Sequence, residues 1–109
     1  MKQEIFKRAT LSPEGLYRYS LERTWDMDRV QVNFIMLNPS TADAENDDPT
    51  IRKIMRFAES WGHGGIVVTN LFAWRSSSPN ELGRLGESAI GRENNAWIAG
   101  VAERSSVII

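Results

Sequence analysis

Apolar residues along the chain form three short runs that predict a central β-sheet. Residues 30–37, VQVNFIML, end in continuous apolar residues, which favours a strand covered on both faces, as in parallel sheets. Residues 66–72 are rich in β-branched residues, and a third apolar run occupies 106–109. We therefore predict three parallel strands at the centre of the fold.

Polar and apolar positions between the first two runs have the period of an amphipathic helix. Asp48 followed by Pro49 is typical of a helix start, because Asp caps free N–H groups and proline needs no hydrogen bond at the first position. Gly62 is placed to end the helix in a left-handed conformation. One face of this helix carries Ile51, Ile54, Met55, Ala58 and Trp61. A second helix, over about 91–104, is predicted to bury Ile90, Trp97, Ile98 and Val101.

The N-terminal part of the chain predicts a β-hairpin. A Ser-Pro-Glu-Gly turn at 12–15 lies between two segments of β-type residues within 6–25. Large apolar residues partly alternate there: Phe6, Tyr17, Tyr19, Leu21 and Trp25.

The complete order of elements is a hairpin followed by β-α-β-α-β. Right-handed crossovers of this kind produce a parallel sheet with helices on its faces. We expect a three-layer α/β fold with a mainly parallel sheet, preceded by an N-terminal β-hairpin. The long loop 73–88 is expected to hold one short helical turn. We expect one domain over 1–109, made of a hairpin region (1–29) and a parallel core (30–109).

Composition narrows the classes of function. The chain has 109 residues with 41% hydrophobic and 25% charged content, which is ordinary for a soluble domain. The cysteine count of 0 excludes disulfides, thiolate zinc sites and cysteine nucleophiles. A net charge of -1 argues against a large nucleic-acid footprint. No apolar stretch approaches the roughly 18 residues of a membrane span, and no signal peptide is visible, so we expect a cytoplasmic protein without a membrane partner.

Polar residues follow the first two core strands, where open parallel sheets bind ligands. Asn38 and Asn70 stand at or near the ends of neighbouring strands. The loop 38–48 is far longer than the roughly 2–6 residues that a typical connection needs. The N-terminus of the following helix points at the same edge. The predicted pocket is lined by Asn38, Ser40, Thr41, Asp43, Asn70 and Arg75.

Each of these residues also has a purely structural explanation. Asn38 and Pro39 are suited to a turn, Asp48 to a helix cap, and Asn70 to backbone groups at the sheet edge. Both interpretations stay open at the level of sequence.

Other kinds of chemistry receive little support. Asp43, Asp47 and Asp48 are candidate magnesium ligands, but carboxylates of one loop are weak evidence for a metal, so neither a metal nor a cofactor is predicted. His63, the only histidine, lies at the opposite end of the second strand, which disfavours a Ser-His-Asp triad. The glycines of a phosphate-binding loop are absent after the first strand.

Residues 34–82 resemble the bacterial and phage family called domain of unknown function 1643. The resemblance is carried by the Asn-Pro-Ser-Thr-Ala-Asp stretch at 38–43, the Asp-Pro-Thr at 48–50 and the Asn-Leu-Phe at 70–72. It implies no established activity. Family members continue beyond the segment corresponding to 106–109, so we expect a C-terminally truncated chain that self-associates through an exposed last strand.

A second similarity is to the uracil-DNA glycosylase superfamily. Residues 68–79 are similar to a glycosylase segment in which an Asn at a strand end contacts the base. The analogy implies that Asn38 orients water, that Asn70 contacts a base, and that Phe72 or Trp74 stacks on it. The glycosylases' His-containing motif has no counterpart here.

Two hypotheses of function follow. In the first, a nucleotide, nucleobase or nucleic acid binds at the carboxyl ends of strands 30–37 and 66–72, with glycosylase-like chemistry as one form and enzymatic activity left open. In the second, the same edge serves a non-catalytic protein-interaction module.

Overall fold

A computed structural model describes residues 4–109 as an α/β fold with a five-stranded sheet; residues 1–3 of the predicted hairpin region lie outside the described part. The strands are β1 (Phe6–Leu11), β2 (Arg18–Thr24), β3 (Gln31–Met36), β4 (Gly65–Asn70) and β5 (Val107–Ile108). The helices are α1 (Pro49–Ser60), α2 (Pro79–Leu85) and α3 (Asn94–Glu103), with a 3-10 turn at Gly86–Ala89.

The strand order is β1-β2-β4-β3-β5, and the sheet is mixed. β3 pairs in parallel with both β4 and β5, as the β-α-β-α-β pattern predicts. The hairpin, however, joins this sheet, because β2 pairs antiparallel with β4 around Leu21 and Val68. The prediction of a mainly parallel sheet is therefore wrong. β4 would otherwise leave a free edge of N–H and C=O groups, and β2 covers it.

Helix α1 begins as its sequence predicts. Asp48 Oδ1 accepts a hydrogen bond from the Ile51 N–H at 2.9 Å, and proline occupies the first turn. Gly62 adopts a φ of 88°, the left-handed value expected after the helix. The buried core between α1 and the sheet consists of Leu21, Val32, Phe34, Ala42, Ile51, Ile54, Ala58, Ile66 and Val68.

Trp61 departs from the predicted apolar face of α1. It lies one residue after the helix ends, and its side chain is 54% exposed. Its ring stacks on the exposed ring of Phe57, with centroids 5.6 Å apart. The aromatic pair thus lies outside the core.

Helix α3 is shorter than the predicted span 91–104, and it packs against β2, β3 and β4. Val101 is fully buried, whereas Ile90, Trp97 and Ile98 are half-buried. The loop 73–88 contains α2 and most of the 3-10 turn, so it is more helical than the single turn expected.

The pairing of β1 with β2 shifts by one residue near the start of β2. Thr10 lies opposite Ser20, but Leu11 lies opposite Arg18, so Tyr19 is an extra residue in β2. Such a bulge reverses the alternation of side chains beyond it. Arg18 therefore reaches Ala42 on the α1 side of the sheet, and Tyr19 lies beside Gly91 ahead of α3.

Candidate functional site

The loops that follow β3 and β4 meet at the carboxyl edge of the sheet, where Asn38 contacts the second loop. The Asn38 amide donates to the carbonyl oxygens of Ser76 at 2.9 Å and Pro39 at 3.1 Å. The Ser40 and Ser77 hydroxyls lie 3.0 Å apart. Asn38 and Ser40 therefore tie the two loops together.

The three aspartates of the loop 38–48 have different partners. Asp43 accepts hydrogen bonds from the backbone N–H groups of Asn46 and Glu45, and these bonds lower the pKa of Asp43. Asp47 pairs with Arg23, and Asp48 accepts from the Ala42 N–H at 3.1 Å besides capping α1. Within residues 4–109, no three His, Cys, Asp or Glu side chains form a group that could hold a metal ion.

Two buried arginines on β2 lie below this loop, and sequence reasoning missed both. Arg23 is satisfied at every nitrogen. Its Nε lies 2.7 Å from Asp47 Oδ1, and its Nη atoms donate to the carbonyl oxygens of Glu22 at 2.9 Å and Asp43 at 2.6 Å. Arg23 thus holds the loop to the sheet.

Arg18 is as deeply buried as Arg23 but has poorer partners. The residue is 2% exposed. Its Nη1 donates to Ala42 O at 3.0 Å, its Nη2 makes only a long 3.5 Å contact with Asn70 Oδ1, and its Nε has no partner in the described chain. Burial lowers the pKa of Arg18 to about 10; the charge of Asp48 opposes this shift, while Arg75 and Arg23 add to it.

Asn70 and Arg75 bring two further donors without acceptors to this edge. Asn70 is 1% exposed, and its Nδ2 finds no partner among residues 4–109. Arg75 donates to Gly15 O and Thr41 O at 3.1 and 3.2 Å, whereas its buried Nε is unpaired within the same range. A buried donor without an acceptor costs about 1–3 kcal/mol, so three of them call for an explanation. We name Arg18, Asn70 and Arg75 the donor cluster.

Asn94 supports the end of β4 from the opposite face. It is fully buried, and its Nδ2 donates to Asn70 O at 2.7 Å and to Leu71 O at 3.1 Å. Asn94 thereby fixes the backbone that carries the Asn70 side chain. Nothing in the local sequence of α3 indicates this contact.

Phe72 and Trp74, the two residues proposed to stack on a base, have different surroundings. Trp74 Nε1 donates to Glu81 Oε1 at 3.1 Å, and its ring meets Tyr17 edge to face at 5.4 Å. Phe72, two residues after Asn70, is half-buried. His63 lies before β4, at the end of the strand away from the donor cluster, and its carbonyl accepts from Trp25 Nε1.

One signal in the sequence of β2 pointed toward the missed arginines. In RYSLERT, Arg18 and Arg23 flank a segment with apolar and aromatic residues, and a charge inside a covered strand needs a partner. Their position against the loop 38–48 depends on β2 joining the sheet, which the pattern alone does not indicate.

A family model described as "Protein of unknown function (DUF1643)" matches residues 18–109. The chain therefore belongs to the DUF1643 family. No curated protein and no solved structure matches it. None of the helices in the described part of the chain is both long and apolar enough to cross a membrane.

Proposed function

We propose that this member of the DUF1643 family binds a nucleotide or nucleobase at the carboxyl ends of β3 and β4, through its donor cluster. The observation that supports this most directly is the set of three buried donors without acceptors, on Arg18, Asn70 and Arg75. A ligand with acceptor oxygens would satisfy all three at once, and base carbonyls and phosphates are such groups.

The amide of Asn70 suits the edge of a base. Its Nδ2 is unpaired within the described chain, and its Oδ1 receives only the long contact from Arg18. A carboxamide with both ends available can donate to a base carbonyl and accept from the neighbouring ring N–H. The Nε and Nη2 groups of Arg18 form the fork that binds a second acceptor group side-on.

Entry to the donor cluster requires movement of the segment 40–42, because buried Ala42 accepts from Arg18 Nη1 through its carbonyl oxygen and donates its N–H to Asp48 Oδ2. The outer contacts of this segment are the Ser40–Ser77 hydroxyl pair and the Arg75–Thr41 hydrogen bond, both at the exposed surface. Hydrogen bonds of this kind contribute about 0.5–1.5 kcal/mol each, so binding energy of ordinary size can displace them.

The similarity of residues 68–79 to a glycosylase segment makes uracil-containing DNA the first substrate to test for a reaction. If the protein leaves uracil-containing DNA uncut, glycosylase-like activity is rejected, and the binding proposal still stands.

Binding is tested by thermal shift and calorimetry against nucleosides, nucleotides, free bases and uracil-containing DNA. A ligand at about 100 times its Kd should stabilise the protein by about 2.7 kcal/mol. Arg18→Met and Asn70→Ala should abolish this shift, whereas Arg84→Met, at an exposed arginine of α2, should keep it. The proposal would be refuted if no compound of the panel stabilised the protein, or if the Asn70→Ala protein gave the same thermal shift as the wild type.

A further inference from the structure

A concave surface separate from the donor cluster lies on the other side of β2 from Arg18. It is a groove of about 750 Å³ between the turn that joins β1 to β2 and the segment that leads into α3. Tyr17, Ile90 and Gly91 line its floor, and charged side chains stand around it. The groove shares no lining residue with the donor cluster.

The aromatic floor of the groove is held firmly in place. The Tyr17 hydroxyl donates to Ser88 O at 2.9 Å, which joins the two walls. The rings of Tyr17 and Tyr19 are nearly parallel, 4° apart, with centroids separated by 6.4 Å. Gly91 has a φ of 90°, and a Cβ there would lie 3.0 Å from Tyr17 Cδ1, so only glycine lets the backbone approach the rings.

The charges around the groove favour a cation. Three carboxylates, from Glu14, Glu87 and Glu93, line it against the single positive charge of Arg92. In the described residues, none of these three carboxylates takes part in an ion pair. Glu14 and Glu93 line the same groove as Tyr19. Burial raises the pKa of Tyr19, a hydrogen bond with the backbone of Glu93 opposes this shift, and the charges of Glu93 and Glu14 add to it.

We propose that this groove binds a lysine- or arginine-bearing segment of a partner protein, with one cationic side chain over the Tyr17 ring and between the carboxylates. A cation at the face of an aromatic ring gains roughly 0.5–2 kcal/mol, and unpaired carboxylates add electrostatic attraction and orientation. A nucleic acid or a free nucleotide fits badly, because its phosphates would face three carboxylates. The proposal is independent of the donor cluster, and it differs from the interaction-module hypothesis, which places the partner at the carboxyl edge of the sheet.

The test uses a capped heptapeptide of alternating glycine and arginine, with a citrulline version as its neutral control. Amide NMR shifts should appear over 12–19 and 87–93 with the arginine peptide and disappear with citrulline. Glu14→Gln with Glu93→Gln should weaken binding at least tenfold, and Tyr17→Leu several-fold. The control double variant, Glu59→Gln with Glu103→Gln, removes two exposed carboxylates elsewhere on the surface and should leave peptide binding unchanged.

Three results would overturn the proposal. Equal shifts with the citrulline peptide would show an apolar groove without charge recognition. Equal losses in both double variants would show unspecific attraction to an acidic surface. If neither peptide shifts any amide signal of the folded wild-type protein, the groove binds no basic segment.

Discussion

Arg18 and Arg23 show how two equally buried charges can have opposite roles. Arg23 has a carboxylate and backbone carbonyls at its nitrogens, whereas Arg18 has one good partner. Because burial lowers the pKa of Arg18 from its ordinary value to about 10, its charged form is disfavoured in the folded state. This unfavourable contribution is fully present below about pH 10 and disappears as the pH rises from there through the ordinary pKa of arginine.

Urea unfolding should therefore show different losses of stability when each of the two arginines is replaced. We expect Arg23→Met to cost about 3–5 kcal/mol, because it removes the ion pair with Asp47 and the donors to the carbonyl oxygens of Glu22 and Asp43. Arg18→Met should cost less than about 1 kcal/mol, since a disfavoured charge leaves the interior. Equal losses would mean that Arg18 is a structural residue, contrary to the proposed function.

The two asparagines of the predicted site should also differ. Asn38 joins two loops through two carbonyl oxygens, so Asn38→Ala should cost about 1–2 kcal/mol of stability. Asn70→Ala removes an unpaired Nδ2 and should change stability by less than about 1 kcal/mol while abolishing ligand binding. Urea denaturation and calorimetry measure the two effects separately. Loss of stability alone in Asn70→Ala would show that both asparagines are structural.

At the scale of elements, local signals were sufficient for α1 but not for the sheet. Asp48, Pro49 and Gly62 each act within one turn of their own position, so their effects are readable from sequence. The joining of β2 to β4 depends on residues more than 40 positions apart, such as Leu21 and Val68. The same limit applies to the candidate site. Its loops were predictable, but Arg18 and Asn94 reach it only through tertiary pairing.

The loop 38–48 should respond to acid through Asp43. Two backbone N–H groups lower the pKa of this carboxylate, so its contribution to stability is present above the unfolded value of 3.8 and is lost as the pH falls through the folded value. The free energy of unfolding, measured from pH 6 to pH 2, should show a decrease that Asp43→Asn lacks. Identical pH profiles in both proteins would show that the turn at Asp43 adds nothing to stability.

Two glycines should respond oppositely to alanine because their surroundings differ. A Cβ at Gly64 would overlap the Asp26 carbonyl oxygen and approach Arg29 Cβ to 2.7 Å. Gly83 lies inside α2 with open space around it. Gly64→Ala should cost at least about 2 kcal/mol, and Gly83→Ala should add up to about 1 kcal/mol. Thermal unfolding measures whether each substitution raises or lowers stability. A stabilised Gly64→Ala protein would contradict the close approach of Gly64 to Asp26 and Arg29.

At the scale of the whole molecule, the two edges of the sheet differ in protection. β1 carries Lys7 and Arg8, and charges on an edge strand discourage pairing with another chain. β5 has no charged residue, and Ile108 and Ile109 are 48% and 54% exposed. We therefore propose self-association through β5. Sedimentation should show concentration-dependent dimers that Ile108→Lys disrupts and Lys7→Ala leaves intact. A monomer at all concentrations would reject this.

The extra residue in β2 has a consequence for how the protein can change over evolutionary time. Arg18 and Tyr19 are adjacent in the chain, yet they lie on opposite faces of the sheet. Arg18 lies beside donors that lack acceptors, and Tyr19 lies beside carboxylates. Under the two proposals above, a lineage could therefore change one site and keep the other. Deletion of Tyr19, the extra residue, would leave Arg18 opposite Leu11 and on its own face, and would remove only the Tyr19 ring from the other face.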